Sequence, residues 1–183
     1  VAELGVGYFK LDYNINAGAG TDLDSFSVGD GLLGHNRAHL AWIDGVLDRH
    51  PDLVLENCAS GAMRMDWAML SRLQIQSTSD QQDPVLYPPI AASAPLAMLP
   101  EQAANWAYPQ PGMDAEDAAF TLCTAMLGRF YLSGYLNRMS RAERELVAEA
   151  VTAHAAISGE IAASRAIWPL GLPEWTSPWV ALG

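Results

Sequence analysis

Short apolar runs alternate along this chain with longer stretches of helical periodicity. Aromatic and β-branched content predicts strands over residues 6–11, 53–55, 73–76, 105–108 and 129–132. Apolar residues at helical spacing predict helices over residues 35–50, 64–72, 84–99, 114–127 and 140–161. Residues 17–34 are rich in Gly, Asp and Ser and predict a long loop between the first strand and the first helix.

Several of the predicted helix ends carry a local chemical signal. Pro51 closes the first helix, and Pro84 starts or kinks the third. Asp114 is a predicted N-cap, because its side chain can accept a hydrogen bond from an amide of the first turn. Ser140, followed three residues later by Glu143, has the pattern of a capping box.

The alternation of strand and helix predicts a parallel sheet, because consecutive parallel strands need a crossover connection. We therefore predict an α/β fold, a partial TIM-type (β/α) barrel of roughly the later four to five βα units. A complete barrel takes about 250 residues, and this chain has 183 and starts without methionine. We expect a piece of a longer protein, with residues 1–165 as the barrel fragment and 166–183 as an irregular tail. A small complete α/β domain is the alternative.

Polar residues cluster where the predicted strands end, which is where a barrel of this type carries its chemistry. The first cluster contains Lys10, Asp12 and Asn14, which share one face of a strand because side chains alternate with period two. Lys10 would keep Asp12 ionised, and Asn14 offers a neutral donor and acceptor. A plain Lys–Asp ion pair at a strand end is the alternative.

The second carboxylate follows a later strand. Asp80 ends the segment Thr78-Ser79-Asp80 and is a candidate general acid, with Asp12 as candidate nucleophile of glycosidic-bond chemistry. Alternatively, Asp80 or Asp83 simply caps the helix that begins near Pro84, and Asp83 suits that role better.

These clusters together resemble the α-galactosidases of glycoside hydrolase family 36. The resemblance rests on Lys10-x-Asp12-x-Asn14, on Cys58-x-x-Gly61-x-x-Arg64-x-Asp66 and on Thr78-Ser79-Asp80, in that order. It implies that Asp12 and Asp80 are the catalytic pair and that Lys10, Asn14, Cys58, Gly61 and Arg64 line the sugar site. For Arg64 and Asp66, a role in holding the cysteine-containing loop is the favoured interpretation. A buried structural cysteine is the alternative for Cys58.

The resemblance is incomplete at three positions. Ile15 stands where relatives often have arginine, Ala62-Met63 replaces a glycine-rich stretch, and Ser77 replaces a tryptophan. These departures leave both carboxylates in place but affect what can be inferred about the substrate.

Composition narrows the class of partner. The net charge of −11 argues against nucleic-acid binding, and no apolar run is long enough to indicate a membrane span. Two cysteines, Cys58 and Cys123, cannot form a disulfide scaffold and have no zinc-binding spacing, so we expect a cytoplasmic protein without metal or cofactor. Cys123 lies in an Ala- and Leu-rich helix and is expected in the core.

The sequence thus predicts a retaining hydrolase of terminal α-galactosides of the raffinose and melibiose type, homo-oligomeric as a full-length protein. Another α-glycosidase or a galactosyl transglycosylase on the same scaffold, or a non-catalytic carbohydrate-binding module, are the alternatives. The chain alone is expected to be inactive or nearly so, because the resemblance places further sugar-binding loops on earlier strands.

Overall fold

The computed structural model describes all of residues 1–183, which form two compact units, Val1–Gln74 and Ile75–Gly183. Strands and helices alternate along both. Their bounds are β1 Tyr8–Asp12, α1 Asp30–Arg49, β2 Val54–Cys58, α2 Trp67–Leu70, β3 Ile75–Ser77, α3 Tyr87–Ser93, β4 Ala103–Ala107, α4 Ala115–Ala125, β5 Arg129–Leu132 and α5 Arg141–Ala163. Short 3-10 turns lie at Ala2–Leu4, Ala94–Leu96 and Leu136–Arg138.

In the first unit, β1 and β2 form a parallel pair, and α1 connects them. The register places Lys10 beside Glu56 and Asp12 beside Cys58, so both strands end at the same edge. The core beneath them consists of Ile43, Leu53, Leu55, Met69 and Leu73, with Leu40, Val46 and Leu47 packed around it. The apolar stripe that the helical spacing predicts for α1 is therefore the face that α1 buries.

In the second unit, β3, β4 and β5 are parallel and β4 lies between the other two. Helix α4 packs against β4 and β5, and α5 packs against α4 and β5. The core of this layer consists of Ala107, Leu122, Ala125, Met139, Val147 and Ala150. Alternation along β4 thus turns Ala107 toward the helices and Trp106 toward the opposite face.

Two predicted helix caps are confirmed by the structure. The Asp114 side chain accepts the amide of Asp117 at 2.9 Å and starts α4. At the start of α5, Ser140 and Glu143 make both hydrogen bonds of the capping box. These ends were predictable because each cap involves residues only three positions apart.

Other boundaries differ from the sequence prediction. Helix α1 begins at Asp30, inside the predicted loop over 17–34. Glycine is needed at position 31 because a Cβ there would lie 1.8 Å from the Thr21 carbonyl oxygen. The prediction counted Gly31 as a loop glycine, whereas it is a helix residue that allows close packing. Helix α2 covers only Trp67–Leu70, because Asp66 caps it instead of lying inside it.

Cys123, expected in the core, is exposed, and both cysteines are free thiols.

The predicted fold class is confirmed. Every strand pairing within the two units is parallel, and a helix stands between each strand and the next along the chain. This is the alternation of an α/β fold and of part of a TIM-type barrel.

The C-terminal segment after α5 contains no helix or strand. Its Trp168 indole donates to the carbonyl of Ala92 at 2.8 Å, and Ile167 and Gly183 exchange two backbone hydrogen bonds. The assignment of residues 1–165 to the catalytic unit stays a prediction.

Helix α5 is long and apolar enough to cross a membrane by length and composition, with a mean hydropathy of 1.2 over 18 residues. This is weak evidence for a membrane segment, because the core helix of a soluble protein passes the same criterion. Val147 and Ala150 of α5 are buried against the second unit's core.

Candidate active site

Asp12 is the last residue of β1, at the edge where the sequence predicted a catalytic carboxylate. It is exposed, and its register partner Cys58 is the last residue of β2. Residues paired in a parallel ladder point to the same face of the sheet, so the carboxylate and the thiol are neighbours on one face. Cys58 is 2% exposed, which leaves little of it for a ligand in this conformation.

Below Asp12 on the same face, Lys10 pairs with Glu56. The Lys10 ammonium lies 3.1 Å from Glu56 Oε1, and the Tyr8 hydroxyl donates to Glu56 Oε2. Glu56 has no exposed surface. Strand β2 extends beyond the predicted residues 53–55 to Cys58 and so contains Glu56, a partner of Lys10 that was not predicted. An acidic residue within an apolar run was the signal for this buried partner.

Asn14 contacts the loop that follows β2. Its side-chain oxygen accepts the Ser60 amide at 2.6 Å and lies 3.3 Å from the Ser60 hydroxyl. Ser60 and Gly61 both have positive φ, 45° and 80°, so the chain turns sharply here and the glycine suits its backbone geometry. Asn14 therefore fixes the loop after Cys58, whatever contact it makes with a ligand.

Arg64 holds the backbone that follows Asp12. Its guanidinium donates to the carbonyls of Tyr13 at 3.0 Å and Ile15 at 2.6 Å, and lies 3.7 Å from the centre of the Tyr13 ring. Asp66 does not share this role, because its side chain caps α2. Arg64 thus contacts the segment after Asp12, and its predicted role in holding the cysteine-containing loop stays a prediction.

Tyr13 lies in an aromatic cluster with His35 and His39, which are not among the predicted site residues. Its hydroxyl lies 2.8 Å from His35 Nε2, and its ring meets that of His39 edge-on at 5.3 Å. Burial lowers the pKa of His39, and the nearby positive charges of Arg64 and His35 lower it further. The neutral imidazole is thus favoured beside the segment that carries Asp12. The i, i+4 spacing of the two histidines on α1 was the available signal.

In the second unit, Asp80 lies three residues past the end of β3 and is exposed. The capping role falls to Asp83, whose side chain accepts the amides of Val85 at 2.8 Å and Leu86 at 3.3 Å in the turn before α3. Of the two aspartates, Asp83 is therefore the structural one, and Asp80 can serve another purpose.

Ser77, where relatives often have tryptophan, receives an indole from the neighbouring strand. Trp106 of β4 donates its Nε1–H to the Ser77 hydroxyl at 3.2 Å. The indole stacks on Tyr108, with ring centres 5.8 Å apart, and meets Tyr131 edge-on at 5.0 Å. A half-buried aromatic surface thus lies beside the strand that leads to Asp80.

Each unit has an exposed carboxylate at or just beyond the end of a parallel strand, and the first unit also has a lysine and backbone held by side chains. Such groups can attack or protonate a polar organic substrate and bind its hydroxyls. No group of three or more His, Cys, Asp and Glu side chains is arranged to hold a metal ion. The roles predicted for Asp12, Asp80, Lys10, Asn14, Cys58, Gly61 and Arg64 stay predictions.

Comparison with known proteins gives a structural match. No model of a protein family matches the chain, and no curated protein does. Among solved structures, a variant of the family 36 α-galactosidase AgaA from Geobacillus stearothermophilus, in complex with 1-deoxygalactonojirimycin, superposes with a TM-score of 0.80 at 20% identity. The match covers 99% of this chain and 26% of that one.

Two further structures give the same result. The α-galactosidase from Lactobacillus brevis has a TM-score of 0.73 at 15% identity, covering 91% of this chain and 23% of its own. The galactosidase domain of the α-galactosidase–sucrose kinase AgaSK has a TM-score of 0.71 at 20% identity, with coverage of 88% and 22%. This chain spans about a quarter of the length of the structures it matches. Its fold is therefore that of a segment of the barrel of family 36 α-galactosidases, as the sequence motifs predicted.

Proposed function

We propose that this chain carries the catalytic carboxylates of a retaining glycoside hydrolase that cleaves terminal α-galactosides of the raffinose and melibiose type. The observation that supports this most is the position of Asp12 and Asp80, which are exposed at the end of β1 and three residues past the end of β3, on a fold shared with α-galactosidases. Structures of AgaA variants contain raffinose and stachyose, which supports an α-galactoside as the substrate class.

In the proposed reaction, Asp12 attacks the anomeric carbon while Asp80 gives its proton to the departing glycosidic oxygen. The bond from carbon to that oxygen breaks as an ester bond to Asp12 forms. Asp80, now a carboxylate, then takes a proton from water, whose oxygen bonds to the anomeric carbon as the ester breaks. Two inversions retain the configuration, and the proton returns to Asp80.

The remaining predicted site residues would bind the sugar or hold the backbone around the catalytic carboxylates. The Lys10 ammonium can donate to a sugar hydroxyl while one side of it faces Glu56. Arg64 fixes the backbone directly after Asp12, and Asn14 fixes the loop after Cys58. Cys58 and Gly61 are small, so they leave room for a ring above them. This chemistry uses side chains of the chain itself and calls for no metal or organic cofactor.

The test is carried out on the complete polypeptide that contains this chain. Asp12→Asn is expected to lower kcat on an aryl α-galactoside by at least about a thousandfold, and Asp80→Asn by about 10²- to 10⁴-fold. The matched control, Asp52→Asn, replaces an exposed aspartate that follows α1 and should leave kcat unchanged. Full turnover in the Asp12→Asn variant would exclude Asp12 as the nucleophile.

Two product measurements separate this function from its alternatives. Proton NMR of the first product should show the α-anomer, whereas the β-anomer would indicate an inverting enzyme. Product analysis with sucrose or galactinol present distinguishes hydrolysis from galactosyl transfer. A carbohydrate-binding module would bind galactose and give no turnover in any variant. The cytoplasmic location and the homo-oligomeric state stay predictions.

A further inference from the structure

Tyr87, the first residue of α3, is hydrogen-bonded to Thr78 just after β3 and to Trp106 of β4. Its side chain is 3% exposed, and its hydroxyl lies 2.6 Å from the Thr78 hydroxyl and 2.8 Å from the Trp106 amide nitrogen. Thr78 is two residues before Asp80. One hydroxyl of α3 therefore contacts both strands at the point where the proposed acid leaves the sheet.

The direction of these hydrogen bonds follows from the groups involved. The Thr78 hydroxyl lies 3.0 Å from the Ala104 carbonyl oxygen, which can only accept. Because the Thr78 hydroxyl donates its one hydrogen to Ala104, the hydroxyl of Tyr87 is the donor in its hydrogen bond to Thr78. The Trp106 amide can only donate, so Tyr87 accepts from it. The three hydrogen bonds therefore run in one direction, from the Trp106 N–H through the Tyr87 and Thr78 hydroxyls to the Ala104 carbonyl.

This series of hydrogen bonds lies at the end of the backbone ladder between β3 and β4. The ladder runs through the amide of Gln76, which donates to Gln102, and the amide of Thr78, which donates to Ala104. Two residues further along β4, the amide of Trp106 donates to Tyr87. The Tyr87 hydroxyl thus joins β4 to the end of β3, from which the chain continues toward Asp80.

The chemistry of Tyr87 suits a fixed donor. Burial raises the pKa of Tyr87 to about 12; the hydrogen bonds to Thr78 and Trp106 act to lower this pKa, and Tyr108 and Asp80 act to raise it. The hydroxyl keeps its proton at any ordinary working pH, so the donation to Thr78 does not vary with pH.

We propose that Tyr87 is a positioning residue for the general acid, which it aims through Thr78 and the end of β3. The inference rests on the proposed function, since it presumes that Asp80 protonates the leaving group. Nothing in it requires Tyr87 to touch the substrate.

The test compares leaving groups in the complete polypeptide. A dinitrophenyl α-galactoside departs without a proton, whereas methyl α-galactoside needs one, so kcat/KM for the two substrates separates misplacement of the acid from general damage. Tyr87→Phe is expected to lower kcat/KM for the methyl galactoside about tenfold or more and to change it less than about twofold for the dinitrophenyl galactoside. Thr78→Val should reproduce this pattern, and Thr78→Ser, which keeps the hydroxyl, should restore the original ratio.

Tyr135→Phe is the matched control, because Tyr135 is a half-exposed tyrosine of the same unit. It should leave both values unchanged. Equal losses on both substrates in Tyr87→Phe, or no loss on either, would overturn the positioning role.

Asp80→Asn, measured in parallel, keeps this inference distinct from the proposed function. If Asp80→Asn does not discriminate between the leaving groups, the assignment of the acid fails. If it discriminates and Tyr87→Phe does not, only the role of Tyr87 fails.

Discussion

Glu56 is a carboxylate without exposed surface, and it faces the lysine that the proposed sugar chemistry uses. A buried charge is costly unless it is paired and hydrogen-bonded. Lys10 supplies the opposite charge at 3.1 Å, and the Tyr8 hydroxyl donates to the other carboxylate oxygen. The Lys10 side chain is 30% exposed, so it can reach both the buried anion and a ligand.

Glu56→Gln is expected to lower the free energy of unfolding by about 2 kcal/mol, since it removes the charge partner of Lys10 but keeps an acceptor for Tyr8. Chemical denaturation measures the change. The control is Glu145→Gln, which breaks the exposed ion pair with Arg141 and should cost less than about 1 kcal/mol. Equal effects of the two variants would mean that the buried Glu56–Lys10 pair stabilises the fold no more than the exposed Glu145–Arg141 pair.

His39 predicts a pH dependence of stability. Its pKa in the folded chain is below the ordinary 6.5, first because of burial and then because of Arg64 and His35. The unfolded chain therefore binds more protons as the pH falls below 6.5, and stability is lost toward the lowered pKa. Between pH 7 and pH 5, the free energy of unfolding should fall less in His39→Gln than in the parent protein. An equal fall in both proteins would mean that His39 is not the source of the pH dependence.

At the scale of the elements, α5 shows how a helix start is tied to the rest of its unit. Glu143 accepts the Ser140 amide at 2.5 Å with one oxygen and the Gly112 amide at 2.6 Å with the other. The Ser140 side chain is the largest cause of a lowered pKa of Glu143, and the two amide hydrogen bonds, from Gly112 and Ser140, lower this pKa further. The capping box therefore also fastens the turn that precedes α4.

Ser140→Ala is expected to lower the free energy of unfolding by about 1 kcal/mol, because an amide of the first turn of α5 loses its acceptor. Ser158→Ala in the same helix is the control. Ser158 donates to the Ala155 carbonyl from an exposed position, and alanine is the better helix former there. Thermal or chemical unfolding of both variants measures the difference. A loss in Ser158→Ala as large as in Ser140→Ala would mean that the cap is not the cause.

At the scale of the whole molecule, the chain exposes large apolar side chains. Phe26, Val28, Trp67 and Trp179 are 101%, 93%, 83% and 79% exposed. Apolar side chains with this much exposure can bind other protein or a hydrophobic dye.

We therefore expect the isolated 183-residue chain to give no detectable hydrolysis of an aryl α-galactoside and to bind a hydrophobic dye. The complete polypeptide should hydrolyse the substrate and bind less dye for each chain. An assay of the two proteins side by side measures both properties. Turnover by the purified chain alone would contradict this prediction.

The accuracy of the sequence prediction differed between local and distant features. β5 has the predicted bounds, and Asp114 and Ser140 cap the predicted helices. By contrast, the start of α1 was missed, because Gly31 serves a contact with Thr21 ten residues away rather than a loop.

The sequence by itself determined the alternation of strands and helices, the capped helix ends and the order of the motifs, since each depends on residues within a turn or a strand. Only the tertiary structure decided the partners: Glu56 for Lys10, the Tyr13 and Ile15 carbonyls for Arg64, and Tyr87 for Thr78. These contacts join residues that are between 9 and 51 positions apart. Periodicity and composition give no information on which distant polar groups meet, because chain packing brings them together and burial then requires them to pair.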